Sequence, residues 1–377
     1  MKCEGLCLDK KPQEYYKLFF GDYGNLQRSD IMNHEIFRKL AEASEANTWF
    51  MNEIDYSKDK KGYELLPDNA KRMFHLNILH QNNMDSLVPN TFSKLSDIAT
   101  DSWLTYLYSR ISTEENIHAL TYSSGLTKVF GAKGSEMIDY VYEDDMLKER
   151  MVIEIDTARY LIKKLKEEDP EVEEISDELK IAILDQLIVT YFLEGVKFPF
   201  SFFTTWSINK AYGNAIQGFS QALKLIAWDE LTVHVPTGLN VMKTLMKNEE
   251  QGFSHLKTWF YQRVKEVAEI TATGEMDWNR YLQKDGGIPG FTIDIGDHFI
   301  KYMVDYRMKS LIDEVMFDEK KSDIIDWFNE YRNLNKTQVA LQEADSTNYQ
   351  KGTLKDDLDS IDVDEFIKEF EINLEEI

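Results

Sequence analysis

The pattern of apolar and polar positions divides this chain into long helical stretches separated by short polar breaks. Residues 1–30 are mixed and read as irregular. A helix is expected over 33–50, ending near Trp49, and the segment NEIDYSKDKKGYELLPD that follows reads as a polar connection. Pro67 suits a helix start, so 68–87 reads as a long helix with Asp85 near its end. Pro89 and Asn90 mark a break or kink, 91–130 is helical again, and 131–134 is a turn. A further helix is expected over 135–168, running into a solvated charged segment broken at Pro170. The stretch 178–206 is the apolar helix of the chain, and 207–218 connects it to another over 219–247. Outer helices are expected over 248–270 and 296–317, parted by the breaker-rich loop KDGGIPGFT. Periodicity fades from about Asn333. Ten acidic residues follow Lys355 with few apolar ones, so the end of the chain reads as disordered.

Composition narrows what such a protein does. At 377 residues, 43% hydrophobic, the chain holds one large or two ordinary domains with a sizeable core. A net charge of −24 excludes the basic surface that nucleic-acid phosphates require. The most apolar segment, 187–206, contains Glu194 and Lys197, which makes it a buried helix rather than a membrane span. Cys3 and Cys7 are the only cysteines; they form no disulfide framework and do not complete a zinc site. With no apolar leader at the N-terminus, a reducing, cytoplasmic setting is expected.

Candidate chemistry starts in STEENIHALTY, residues 112–122. On a helix Glu115, His118 and Tyr122 fall at i, i+3 and i+7, which stacks a carboxylate, an imidazole and a phenol on one face. One Glu-x-x-His means little alone, because simple counting gives about 0.6 chance matches in a chain of this composition. The second half of the chain adds weight. Glu194 lies in QLIVTYFLEGVKFPFSFF, where a lone ionised carboxylate costs several kcal/mol and needs a partner, either Lys197 or a metal. Glu230 and His234 lie in the apolar LIAWDELTVH, where a single His is usually satisfied by ordinary hydrogen bonds. Taken together, Asp85 precedes Glu115 and His118 as Glu194 precedes Glu230 and His234. Four carboxylates balance two divalent ions, and each ion receives one nitrogen. A bundle presenting ligands in this order is the ferritin-like di-metal pattern, and the mixed oxygen and imidazole set suits iron or manganese rather than zinc.

At this point the chain resembles a known family, the small, radical-generating subunit of class I ribonucleotide reductase. The likeness runs from about Trp49 to Tyr349 and is carried by WFMNEIDYSKD, NNMDSLVPN, EENIHALTY, FLEGVKFPFSF, LIAWDELTVH and QVALQEADSTNY. Low similarity elsewhere resembles a bacteriophage-type member. The resemblance implies an all-α, ferritin-like bundle over 1–334 and a flexible acidic tail over 335–377 that docks the large catalytic subunit. It implies two iron ions per chain, with manganese as the alternative. Asp85, Glu115 and His118 would hold one, and Glu194, Glu230 and His234 the other. Tyr122 would carry an oxygen-generated radical inside an apolar pocket of Phe198, Phe202 and Ile226. Trp49 and Asp229, with His118, would relay it outward, and Tyr349 would continue the relay into the large subunit, which reduces ribonucleoside diphosphates. A homodimer is implied, in the host cytoplasm if the chain is phage-encoded. The ligand set also suits a stand-alone di-metal oxidase or an iron store, neither of which has use for Tyr349. One departure stands out. The family usually has Glu-x-x-His in its second half, whereas Glu230 and His234 are four apart. Pro199 and Pro236 follow the ligands closely, so both helices are expected to be distorted there, the extra residue absorbed by a π-bulge.

Overall fold

The computed structural model describes residues 14, 16–21, 28–168 and 174–334. The tail with Tyr349, and Cys3 and Cys7, lie outside the described residues. The described part is helical, and in place of strands it has two isolated bridges, Phe19 to Ala99 and Ile288 to Phe291. In chain order the helices are α1 (Glu35–Ala46), α2 (Asp59–Leu65), α3 (Asp68–Ile98), α4 (Ser102–Phe130), α5 (Ala132–Asp139), α6 (Asp145–Glu149) and α7 (Val152–Glu167). They continue as α8 (Asp177–Phe192), α9 (Phe198–Ala211), α10 (Gln217–Asp229), α11 (Val235–Lys247), α12 (Lys257–Leu282), α13 (Ile293–Ile312) and α14 (Asp323–Arg332). None of them is long and apolar enough to cross a membrane.

An antiparallel pair, α3 and α4, frames one side of the bundle. Cross-links at Asn82 to Ala119, Pro89 to Ser112 and Ser96 to Thr105 keep a constant register along it. The expected break at Pro89 does not occur: α3 runs through it to Ile98. Pro89 has no N–H for the Asp85 carbonyl, but Val88, Pro89, Phe92 and Leu95 are all buried, and that packing outweighs one missing backbone bond. The true break comes at 99–101. There Thr100 N–H donates to the Leu18 carbonyl at 2.8 Å, and the Asp101 carboxylate caps α4 by accepting from the N–H groups of Trp103 and Leu104. Gly131 ends α4 at a φ of 62°, a conformation that suits glycine.

The other side is built from α8 continuing into α9 and α10 continuing into α11, each joined through a five-residue π-helical turn, Leu193–Lys197 and Glu230–His234. The apolar paths expected over 178–206 and 219–247 are therefore each one continuous helical run with a distortion inside. Other expectations needed correction. The 33–50 helix stops at Ala46, and the polar connection after it contains α2. The 135–168 helix is three helices and a 3-10 turn: α5 stops at Asp139, and Asp144 caps a new start at Leu147 N–H. Two 3-10 turns precede α12, which begins at Lys257 and runs on to Leu282. α14 was not expected at all. Its Ile325, Phe328 and Tyr331 are buried, and the Phe328 and Tyr331 rings pack tilted against Trp206.

Candidate metal centre

The two π turns carry ligand residues for a reason that lies in the prolines. Pro199 offers no N–H to the Gly195 carbonyl four residues back, so the regular ladder is broken there. Arg307 from α13 fills the vacancy, its Nε donating to that carbonyl at 3.1 Å. A side chain at position 195 would put Cβ 2.7 Å from Arg307 Nε, which is why glycine follows Glu194. In the second turn Val235 N–H reaches back to the Glu230 carbonyl, a five-residue loop that keeps Glu230 and His234 on one side.

Six side chains converge between these helices. Asp85, Glu115, His118 and Glu230 form one cluster, and Glu115, Glu194, Glu230 and His234 a second, with one candidate ligand atom per residue all within 4.8 Å of one another in each. His118 Nδ1 lies 3.3 Å from Glu230 Oε1, 3.6 Å from Glu115 Oε2 and 3.9 Å from Asp85 Oδ2. His234 Nδ1 lies 3.0 Å from Glu115 Oε1, 3.4 Å from Glu230 Oε2 and 3.9 Å from Glu194 Oε2. Glu115 and Glu230 thus belong to both clusters, where sequence reasoning gave each to one ion. All six residues are buried.

The chemistry of this donor set fits a metal pair. Both oxygens of Asp85, Glu115 and Glu230, Oε1 of Glu194 and Nδ1 of each histidine are buried with no hydrogen-bond partner. Leaving that many polar atoms unsatisfied in a protein interior is expensive, and a cation between them satisfies them together. The outward Nε2 atoms, by contrast, are engaged: His118 Nε2 lies 3.1 Å from Asp229 Oδ2, and His234 Nε2 lies 3.1 Å from Glu114 Oε2. An N–H directed outward leaves the Nδ1 lone pair directed at the cluster. Burial first, then the neighbouring Glu115 and Glu230 charges, push the Asp85 carboxyl well above its ordinary range; burial and then Glu230 do the same to Glu194. For His118 burial opposes the charged ring, yet the hydrogen bond to Asp229 and the close carboxylates of Glu115 and Glu230 outweigh it and raise its pKa. His234 behaves likewise, burial being outweighed by Glu230, Glu114 and Glu115.

Around the clusters, Asp229 accepts from Trp49 Nε1 at 2.7 Å and from Asn47 Nδ2 at 3.0 Å as well as from His118. The Trp49 ring stacks on His118 with 5.9 Å between centroids and 13° between planes. Trp49 is buried while the next residue, Phe50, is 55% exposed, so this line of contacts leads to the surface. Tyr122 is buried, and its hydroxyl has no hydrogen-bond partner. Burial and then the nearby charges of Asp85, Glu230 and Glu115 hold the phenol well above its ordinary pKa. Phe198, Phe202 and Ile226 are fully buried in the same core cluster as Tyr122, the two Phe rings 6.0 Å apart. Lys197 is not the partner of Glu194; its ammonium pairs with Glu154 and donates to the Arg150 carbonyl.

Sequence reasoning missed Glu114, which also receives hydrogen bonds from Ser44 and Arg110. The signal was present as a recurrence: Glu114-Glu115 in one half and Asp229-Glu230 in the other. In each pair the second acid lies in both clusters, and the first touches the histidine of the opposite half.

Comparison with known proteins identifies the family. A family model described as "Ribonucleotide reductase, small chain" matches residues 30–337. The chain is 27% identical over 363 residues to the ribonucleoside-diphosphate reductase subunit beta of Buchnera aphidicola subsp. Schizaphis graminum, covering 90% of this chain and 93% of that one. It is 26% identical over 371 residues to the ribonucleoside-diphosphate reductase subunit beta of Enterobacteria phage T4, covering 91% and 93%. Among solved structures, the ribonucleotide reductase R2 subunit from Clostridium botulinum shares the fold at a TM-score of 0.73 and 22% identity, over 84% of this chain and 94% of that one.

Proposed function

The chain belongs to the small-chain family of ribonucleotide reductase, the oxidoreductase that makes deoxyribonucleotides, and from that premise we propose that it generates a radical on Tyr122 and passes it to a large catalytic subunit. The observation that carries this reading is the pair of buried clusters sharing Glu115 and Glu230, with Tyr122 held under the influence of Asp85 beside them. Asp85, Glu115, His118 and Glu230 would hold one ion; Glu194, His234 and the same two glutamates would hold the other. Iron is the metal we assign, with manganese as the alternative, since carboxylate and imidazole donors suit both. The chemistry that a bound metal pair would supply is the reduction of oxygen, with one electron drawn from a nearby side chain.

The rest is done by this chain's own residues. Tyr122 loses its electron together with its proton, because burial disfavours a free phenolate, and Asp85 is the carboxylate best placed to take that proton. The surrounding apolar core, with Phe198, Phe202 and Ile226, keeps water and reductants from the radical. The hydrogen bonds from Trp49 to Asp229 and from His118 to Asp229 form a continuous line from the cluster to Trp49, one residue from exposed Phe50, the path along which the electron returns. Tyr349, in the acidic tail over 335–377, extends that path into the large subunit. Two such chains pair as a homodimer. The outer face of α3 and α4 supports this: Ser86, Asn90, Ser109, Thr113, Asn116 and Leu120 are exposed there and uncharged, so two chains of net charge −24 can meet with little repulsion.

The test is an electron paramagnetic resonance spectrum of the protein reconstituted with ferrous iron and air. A tyrosyl signal is expected with about two irons per chain. Tyr122→Phe should keep the iron and lose the signal, with stability changed by no more than about 1 kcal/mol because a single unpartnered hydroxyl is removed. A tyrosyl signal that survives in Tyr122→Phe would move the radical elsewhere.

A further inference from the structure

Glu114 has a division of labour between its two oxygens. Oε1 receives Ser44 Oγ and, at 3.1 Å, Arg110 Nη2; Oε2 is left for His234 Nε2 at 3.1 Å. Arg110 is itself fixed, donating to Ser44 Oγ at 2.9 Å, to the Ser44 carbonyl at 3.0 Å and to Thr48 Oγ1 at 2.9 Å. The carboxylate is therefore anchored to the last turn of α1 on one side and presents one oxygen to a histidine on the other. It is nearly buried, at 7% exposure, so water offers little competition for either contact.

His234 has particular need of such a clamp. It is the last residue of a π turn, four residues beyond Glu230, and Pro236 two positions on has no N–H for the Thr232 carbonyl. The irregular ladder of its own helix constrains this ring less than a regular helix would. His118 stands on regular α4 and has Asp229 as its counterpart, itself fixed by Trp49 and Asn47. We propose that Glu114 is the positioning residue of the second cluster, fixing the ring orientation and tautomer of His234 so that its Nδ1 is offered to the second ion. This rests on the two-metal reading above. Glu114 neither belongs to a cluster nor touches substrate; it acts through His234 alone.

The alternative is that Glu114 only staples α1 to α4 through Ser44 and Arg110. Titration of the metal-free protein with Mn(II), counting free ion by its paramagnetic resonance signal, separates the two. Wild type should take up two ions per chain. Glu114→Ala should weaken one of them by about 10- to 100-fold and leave the other unchanged. His234→Ala should weaken that same ion, and the double variant Glu114→Ala/His234→Ala should be no weaker than His234→Ala. Glu114→Gln, which keeps the shape and an acceptor oxygen but not the charge, should weaken the same ion by a smaller factor, and it carries the test if the alanine variant does not fold. The clamp is overturned if wild type binds two ions and Glu114→Ala binds both equally well while its metal-free melting temperature falls. It is overturned too if the double variant is additively worse than His234→Ala. A wild-type chain that takes up fewer than two ions overturns the two-metal reading, and the clamp with it.

Discussion

Filling the two clusters with metal should release protons, and their number follows from the geometry. In the metal-free chain four groups are held toward their protonated forms: the Asp85 and Glu194 carboxyls, chiefly by burial, and the His118 and His234 imidazoles, by acidic partners that outweigh burial. Two divalent ions carry the charge of four protons, so the exchange leaves the buried charge unchanged. Up to four protons per two ions should therefore be released, as each raised group gives up the proton it holds. A proton on any of the four groups competes directly with metal, so affinity falls as pH falls. Each displaced proton changes affinity about tenfold per pH unit, or about 1.4 kcal/mol, so the two binding constants multiplied together change by up to about four orders of magnitude per pH unit. Stability of the metal-free chain should move the other way. A folded-state pKa raised above the unfolded value gives stability that is complete below the unfolded pKa, about 4 for a carboxyl and about 6.5 for an imidazole. That stability is lost as pH rises through the raised folded value. Raising the pH should thus weaken the metal-free fold while tightening the metal. The assay is calorimetric titration with Mn(II) in two buffers of different protonation enthalpy; the difference in apparent heat gives the proton count. Release of fewer than about two protons per metal pair, or an affinity indifferent to pH, would show that the cluster is already deprotonated and would refute the reasoning.

Three further outcomes are expected. Arg307→Met removes the donor to the Gly195 carbonyl and leaves it buried and unpaired, so the urea midpoint of the metal-free protein should fall by the equivalent of about 1–3 kcal/mol; an unchanged midpoint would mean that the π turn at Glu194 holds without it. Deleting the residues beyond about 355 should abolish association with the large subunit in sedimentation experiments while metal content and the Tyr122 signal stay intact; full binding by the shortened chain would reduce the acidic tail to a solubilising role. Tyr349→Phe should bind the large subunit normally yet fail to support nucleotide reduction, since Phe is much harder to oxidise, and turnover at the wild-type rate would remove Tyr349 from the relay.

The six clustered side chains were legible in the sequence because they are residues that an apolar helix tolerates only with a partner. Glu194 between Leu193 and Gly195, or His234 between Val233 and Val235, asks a question that only a few structures answer, and all six side chains converge. The distortions at Pro199 and Pro236 were legible for a similar reason, since a missing N–H must show in the ladder. Pro89 shows where that rule stops. The same defect sits in α3, but buried packing along the helix carries it straight on to Ile98. Local propensity was outweighed there by tertiary contacts that no single stretch of sequence displays.

What escaped the sequence is mostly what depends on a single hydrogen bond, local or long-range. Asp144 caps α6 and divides a stretch whose apolar periodicity runs on unbroken, so one helix was expected where there are three. Glu114 escaped because its neighbour Glu115 accounted for the motif, and adjacent helical positions point to different faces. Only the recurrence of an acidic pair ahead of each histidine, Glu114-Glu115 and Asp229-Glu230, marks the first acid as more than a solvated charge. Spacing within one helix identifies groups that share a metal, because they must share a face. The groups that orient those ligands come from other helices, and a repeated arrangement in two halves of a chain is the trace they leave in the sequence. Here that trace is reciprocal: each half supplies the histidine of its own cluster and the carboxylate that orients the histidine of the other. The two halves can therefore be set in place only together.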